Sequence, residues 1–421
     1  MSHARTPRRR LAAVVVTLLA VTGGGPAAPA ASAAPSGPAP AVVSADPAGP
    51  RLVEQSIPGT VGFGGKGAAV ELVWRFDAPA SVEIELTHTA SGKRKTDTVH
   101  TPDDGRAVMR WIGVFDDFTA AYNGGYTWRL TAAPRGTTGP STERTGTFEV
   151  DSGRAPHGFS DSGSPDFLVR AEGFLYVFDG RKALEFGHTG APVGTNAGPG
   201  WDAYDRIVAP GDVGGERFSD LVARDKTGTL WVHPGTGTAA SPFAQRVRVG
   251  GGWQVYAEVT GGSDLDGDGR PDLVAADKAG GLWFYKGTGN VAAPFAPRRK
   301  TGYGWGIYDK LVATGNLGGA AAGDLVARDR NGVLWLYLGK GDGTFAPRAR
   351  IGAGWNAYNE IVAIGDTDRD GRPDLIANGR TGHVDSRLAL YRGTGGWRAP
   401  FAPRARASML LPVSGWYTQL F

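Results

Sequence analysis

No cysteine occurs in the 421 residues of this chain. That excludes a disulfide framework, a thiolate metal site and a thiol nucleophile. Long apolar runs are missing too. None reaches the roughly 20 residues needed to span a bilayer, so no membrane insertion is expected. Basic residues are scattered, with a formal net charge of only +4, and no nucleic-acid-binding module accompanies them; nucleic acid is not an expected partner. Neither a Gly-x-Ser-x-Gly elbow nor a His-Glu-x-x-His pair is present, and the 7 histidines show no ligand spacing. Gly62-Phe63-Gly64-Gly65-Lys66-Gly67 is glycine-rich but lacks the spacing and the Ser or Thr of a phosphate loop. No catalytic residue is therefore singled out. A polysaccharide hydrolase or lyase stays open as a function class only because two carboxylates distant in sequence can meet in space.

The first residues carry an export pattern. Arg5, Arg8, Arg9 and Arg10 precede an apolar run over 11–21, and Ala31-Ser32-Ala33 supplies a small-x-small cleavage site. A signal peptide over 1–33 and a secreted, extracellular product are expected. Residues 34–50, rich in Ala, Pro, Ser and Gly, read as a flexible spacer.

Residues 51–152 read as short strands separated by Gly, Pro, Asp and Asn turns. Alternation runs over 69–76 and 81–87, with Val82, Ile84 and Leu86 on one face; 108–111, 126–132 and 147–150 follow. A two-sheet sandwich is the expectation. Trp111-Ile112-Gly113 and Gly125-Tyr126-Thr127-Trp128-Arg129-Leu130 resemble the FlgD-type immunoglobulin-like domain. Trp111 and Trp128 are assigned to its core.

Residues 153–421 repeat. An Asp followed by apolar residues recurs at Asp166, Asp220, Asp272, Asp324 and Asp374, at steps of 54, 52, 52 and 50. Gly-Trp with a Tyr three positions on recurs as Trp201/Tyr204, Trp253/Tyr256, Trp305/Tyr308 and Trp355/Tyr358, with a short copy at Gly415-Trp416-Tyr417. One unit resolves into strands over 256–261, 272–276, 281–286 and 298–301. Four strands per repeat of about 50 residues make a propeller blade, since one such sheet cannot bury both faces alone. The unit around Asp166 lacks a Gly-Trp strand, and the chain ends in a Gly-Trp strand lacking the rest of a blade. Five four-stranded blades closed by the C-terminal strand, behind the sandwich, are the predicted all-β architecture. Arginines in the last strands (Arg246, Arg248, Arg298, Arg348, Arg350, Arg404, Arg406) are expected on the exposed outer edge, where charge obstructs edge-to-edge pairing.

Two loops carry definite chemistry: Asp264, Asp266, Asp268, Arg270 and Asp272; and Asp366, Asp368, Asp370, Arg372 and Asp374. Carboxylates at positions 1, 3, 5 and 9, with Gly at 6 and a backbone carbonyl at 7, wrap oxygens around a hard cation. An EF-hand is excluded because position 12 is Ala275 or Ala377 and the flanks read as strands. Two sites are expected. In a third set, Asp212, Glu216 and Asp220, Gly214 interrupts the pattern, and Ser160, Ser162 and Asp166, or Asn316 and Asp324, retain too few ligands.

These loops, with Gly339-Lys340-Gly341-Asp342-Gly343-Thr344-Phe345, resemble the FG-GAP/VCBS repeat family of extracellular propellers, and the Gly-Trp-x-x-Tyr phrase resembles the tachylectin family of five-bladed lectins. The resemblance covers about 158–421. It implies Ca2+ that braces the loop between the first two strands of a blade. The recurring Trp and Tyr residues offer either inter-blade packing or flat faces for sugars. A carbohydrate-binding protein acting on cell-wall or environmental glycan is the leading expectation; a scaffold for a cell-surface protein is the alternative.

Overall fold

The computed structural model describes residues 49–136, 138–184, 194–320, 322–379, 387–410 and 417–421; the expected signal peptide, nearly all of the spacer, and Trp416 lie outside them. Within this range alternation builds two sheets first. Leu52–Ser56, Val70–Phe76 and Arg106–Trp111 form one, in the order first, second, third. Thr60–Val61, Thr142–Val150, Gly124–Pro134, Ala80–His88 and Arg94–His100 form the other, side by side in that order. Their inner faces bury Val82, Ile84 and Leu86 with Trp74, Trp111 and Trp128, and Trp74 meets Trp128 edge-on at 5.6 Å between ring centroids.

Five four-stranded antiparallel sheets follow. The second blade is Tyr204–Gly211, Asp220–Asp225, Leu230–His233 and Val247–Gly250. The third is Tyr256–Ser263, Asp272–Asp277, Leu282–Tyr285 and Arg299–Gly302. The fourth is Tyr308–Gly315, Asp324–Asp329, Leu334–Tyr337 and Ala349–Gly352. The fifth is Tyr358–Gly365, Asp374–Gly379, Arg387–Tyr391 and Ala405–Leu410. The first blade joins both ends of the repeat: Asp166–Ala171, Phe174–Asp179 and Thr195–Pro199 are completed by Tyr417–Leu420, paired antiparallel with Asp166–Ala171. The ring closes as the repeat register requires.

Among the described residues, four junctions between successive blades share one device. A glycine in the left-handed region (Gly200, Gly252, Gly304 and Gly354, φ between 79° and 95°) turns the chain into a single 3-10 turn that begins at Trp. A side chain at these positions would be strained, which explains the invariable Gly before Trp. The Trp N–H then donates to a carbonyl in the preceding blade: Trp201 to Gly173, Trp253 to Gly228, Trp305 to Gly280 and Trp355 to Gly332, at 2.9–3.0 Å. An arginine, buried in two cases and half-buried at Arg170, reinforces three junctions. Arg170, Arg224 and Arg328 each reach forward to the carbonyls of the next blade's Trp and Tyr, at 2.6–3.1 Å.

The five innermost strands meet around a narrow channel of about 80 Å³. Two residues past each tyrosine of the repeat stand Arg206, Glu258, Lys310, Glu360 and Gln419. Arg206 pairs with Glu258 at 3.0 Å. Burial lowers the Lys310 pKa, opposed by Glu258 and Glu360 on either side. Charges cannot alternate around an odd-membered ring without one like-charged neighbour pair. The neutral Gln419, contributed by the closing strand, stands where that clash would fall.

Candidate functional site

The acidic loops lie between the first and second strands of their blades. Position nine is a structural pin before it is anything else. The Asp272 carboxylate, fully buried, accepts from the N–H of Leu265 and of Gly287, both at 2.8 Å. Asp374 does the same with Thr367 and Gly393, and Asp324 with Gly318 and Gly339. Each therefore fastens the loop to the end of the third strand. Position one organises the turn: Asp264 accepts from Gly267 and Gly269 at 2.7 and 2.8 Å, and Asp366 from Asp370 and Gly371 at 3.0 and 2.7 Å.

These bonds draw carboxylates together. In Asp264/Asp266/Asp272 and in Asp366/Asp368/Asp374, one oxygen from each residue lies within 4.8 Å of the others. The second blade's Asp212/Glu216/Asp220, which Gly214 interrupts in sequence, forms a third such cluster. Position-five Asp268 and Asp370 stand outside the clusters and turn to Arg270 and Arg372, at 3.5 and 3.2 Å. The N–H groups of Arg270 and Arg372 donate back to them at 2.9 and 3.1 Å.

The clusters are electrostatically loaded. Burial, with Asp266 and Asp264 adding to it, pushes Asp272 up to about 6, and burial pushes Asp220 up to about 7. Every cluster also contains one buried oxygen without a hydrogen-bond partner: Oδ1 of Asp266, Oδ1 of Asp368 and Oε2 of Glu216. Buried polar atoms are normally satisfied. Three carboxylates converging with an unsatisfied oxygen fit a hard divalent cation, whose charge would offset the repulsion. Positive side chains already border two clusters: Lys286 contacts Asp266 and Asp268, and Lys66 with Arg392 contacts Asp368.

The eight aromatic residues singled out in the repeat come together in pairs, all buried. Trp201, Trp253, Trp305 and Trp355 are 6–7% exposed, and each lies 5.4–5.7 Å from its Tyr partner, Tyr204, Tyr256, Tyr308 or Tyr358. A third ring from the third strand covers each Trp at 4.5–4.8 Å: His233, Tyr285, Tyr337 or Tyr391. The phenol of Tyr256 bonds that of Tyr285 at 2.6 Å, as Tyr308 does Tyr337 at 2.5 Å and Tyr358 does Tyr391 at 2.7 Å.

The arginines at the outer edge do more than obstruct pairing. The guanidinium groups of Arg246, Arg298 and Arg348 lie 4.0–4.1 Å above Trp231, Trp283 and Trp335, a cation–π geometry. Each also donates to the phenol of Tyr204, Tyr256 or Tyr308. The indole N–H of each of these tryptophans is held by Asp225, Asp277 or Asp329 at 2.7–2.9 Å. Where Trp201, Tyr204, His233 and Phe243 meet, the surface opens into a cleft of about 440 Å³, bordered by Asn196 and Ser241. Among the described residues of the propeller, the aromatic side chains most open to solvent are Tyr303, 80% exposed, and Trp397, 42% exposed. The repeat pattern did not single them out because neither recurs: Tyr303 stands where the other units have Gly251 and Ala353.

Residues 322–377 match the family model of the FG-GAP-like repeat. That stretch runs from the start of the fourth blade's second strand to the fifth blade's acidic loop and the strand after it. No curated protein matches the chain. Among solved structures, the BP39L lectin from Burkholderia pseudomallei shares 12% identity over 82% of this chain and 99% of that one, with a TM-score of 0.33. AofleA from Arthrobotrys oligospora shares 8% over 84% and 96%, with a TM-score of 0.36. BBS1N, solved in complex with ARL6DN, shares 11% over 61% and 83%, with a TM-score of 0.30. Superpositions this loose carry no argument about the ligand of this chain.

Proposed function

We propose that this chain is a secreted, non-catalytic binding protein that recognises glycans in clefts at the rim of a calcium-braced propeller. One observation carries the reading: the Trp, Tyr and third-strand ring recur at four successive blades, joined at three of them by an arginine over a second Trp, and at Trp201 the set opens into a cleft. Flat apolar faces beside fixed hydrogen-bond groups suit sugar rings, which present CH patches and hydroxyls together. The deeply buried tryptophans would shape the floor, while the arginines, the second tryptophans and the phenols would meet the ligand.

Calcium has a supporting part. Asp264, Asp266 and Asp272 would hold one ion and Asp366, Asp368 and Asp374 another, with the carbonyls of Arg270 and Arg372 as further oxygens. Such an ion stabilises the blade by binding the folded chain alone. Asp212, Glu216 and Asp220 are a third candidate set. A protein-binding scaffold is the second reading, favoured by exposed apolar side chains at Val255 and Ile307, two residues after their tryptophans.

A glycan array comparing the wild type with Arg246→Ala/Arg298→Ala/Arg348→Ala tests the proposal. Binding of the wild type to at least one glycan class is expected, with affinity reduced about tenfold or more in the variant, the scale of losing a charge-assisted contact. Circular dichroism and melting would confirm that the variant is folded. A wild type silent on every glycan, with or without calcium, contradicts the reading; capture of a cell-surface protein by that same chain supports the scaffold.

A further inference from the structure

The glycine-rich segment 62–67 matches no phosphate loop, yet its placement is specific. Phe63 is buried and packs edge-on against Trp111 at 4.9 Å, fixing the segment in the sandwich core. Its N–H donates to Ser152 Oγ at 3.2 Å. At Gly62 a Cβ would stand 2.4 Å from the Asp151 carbonyl, so only glycine passes there. From this anchored loop Lys66 reaches the fifth blade, its Nζ 2.6 Å from Asp368 Oδ2.

The fifth blade reaches back. Arg369 donates to the carbonyl of Phe63 and, at 2.5 Å, to Ser164 Oγ. It does so from a left-handed backbone conformation, φ 60°, at the position where the third blade has Gly267 with φ 81°. A non-glycine residue is disfavoured there, and the side-chain reach is what the substitution provides. Asp368 itself is 9% exposed, and its Oδ1 has no hydrogen-bond partner.

The third blade offers the comparison. There the ammonium beside the cluster is Lys286, from the end of the same blade's third strand. The equivalent residue in the fifth blade is Arg392, 3.1 Å from Asp368 Oδ2, and Lys66 is added from the sandwich.

We infer that Lys66 is a tethered counter-ion of the fifth-blade loop, so that filling this loop with a divalent cation and docking of the 62–67 segment oppose one another. The inference rests on the calcium reading above. A divalent ion drawn to the free Oδ1 of Asp368 shares one carboxylate with the Lys66 ammonium, and the two positive charges repel. Linkage makes the effect reciprocal: calcium loosens the segment, and loss of Lys66 tightens calcium.

Calorimetric titration of calcium chloride into the full chain tests this on the wild type, Lys66→Met and Lys66→Met/Asp368→Asn. One site should tighten about tenfold in Lys66→Met, within the usual range of such couplings, and vanish in the double variant. Hydrogen exchange at 62–67 should quicken with calcium in the wild type and be fast in Lys66→Met at any calcium level. Binding to Lys66→Met alone also supports the inference. Equal affinities with unchanged exchange overturn the linkage and leave the calcium reading standing. Heat from neither the wild type nor Lys66→Met overturns both.

Discussion

A chain ending at residue 416 is expected to lose cooperative folding of the propeller. The closing strand contributes at three levels. It supplies the ladder along Asp166–Ala171, with Phe421 and Leu168 exchanging both backbone hydrogen bonds at 2.9 and 3.0 Å. It buries Leu420 among Phe167, Ile364, Ile376 and Leu388, which joins the first blade to the fifth. It also buries Phe421 among Phe159, Leu168, Trp201 and Leu221, which joins the first blade to the second. Two such side chains contribute about 1.5–3 kcal/mol each by burial alone. Their removal also bares one edge of the first blade and the inner face of the fifth. Against a total of about 5–15 kcal/mol for a typical domain, the loss is of the same order as the stability itself. Thermal melting followed by near-ultraviolet dichroism should show no sharp transition, whereas Leu420→Ala should stay folded but be weakened by about 2–5 kcal/mol. A truncated chain that melts like the wild type would mean that the ring does not depend on its last strand.

The second large effect is expected at position nine of the loops, and it separates structure from metal. Asp324 belongs to no carboxylate cluster among the described residues, yet it is fully buried and holds the N–H groups of Gly318 and Gly339. Asp324→Ala leaves two half-buried donors without acceptors, at up to about 1–3 kcal/mol each. The resulting loss of up to about 2–6 kcal/mol should be the same with and without calcium. Asp272→Ala breaks the equivalent pair of bonds and also removes a cluster member, so its cost should grow when calcium is present. Denaturant unfolding of both variants in calcium and in chelator checks this. Equal calcium dependence of the two would contradict the assignment of the metal to the clusters.

The recurrence of Asp and Gly-Trp at steps near 52 residues made the blades legible. The third-blade strands observed differ from the sequence-based ranges by two residues or fewer. Periodicity succeeds here because every unit faces the same packing problem, so the same side chains recur. Non-recurring contacts stayed hidden. Arg94–His100, a charged and mostly exposed edge strand, has no alternation to betray it. The forward-reaching arginines are written plainly as Asp-Leu-Val-Ala-Arg-Asp at 220–225 and 324–329, but Ala276 and Asn378 interrupt the series. The third acidic set, Asp212, Glu216 and Asp220, is visible in the sequence but set apart because Gly214 interrupts it; the structure brings its three carboxylates together all the same. Lys66 could not be placed at all from sequence, since it meets Asp368 across 302 positions.

The account turns on the acidic turns holding a divalent cation that braces the blades, and differential scanning calorimetry of the full chain tests this most directly. With calcium at about a hundred times the dissociation constant, each filled site adds about 2.7 kcal/mol. Two sites then raise the melting temperature by roughly 5–10 °C over the same protein in chelator, and magnesium, which prefers a rigid octahedral shell, falls short of that. Superimposable curves in calcium and in chelator would contradict it.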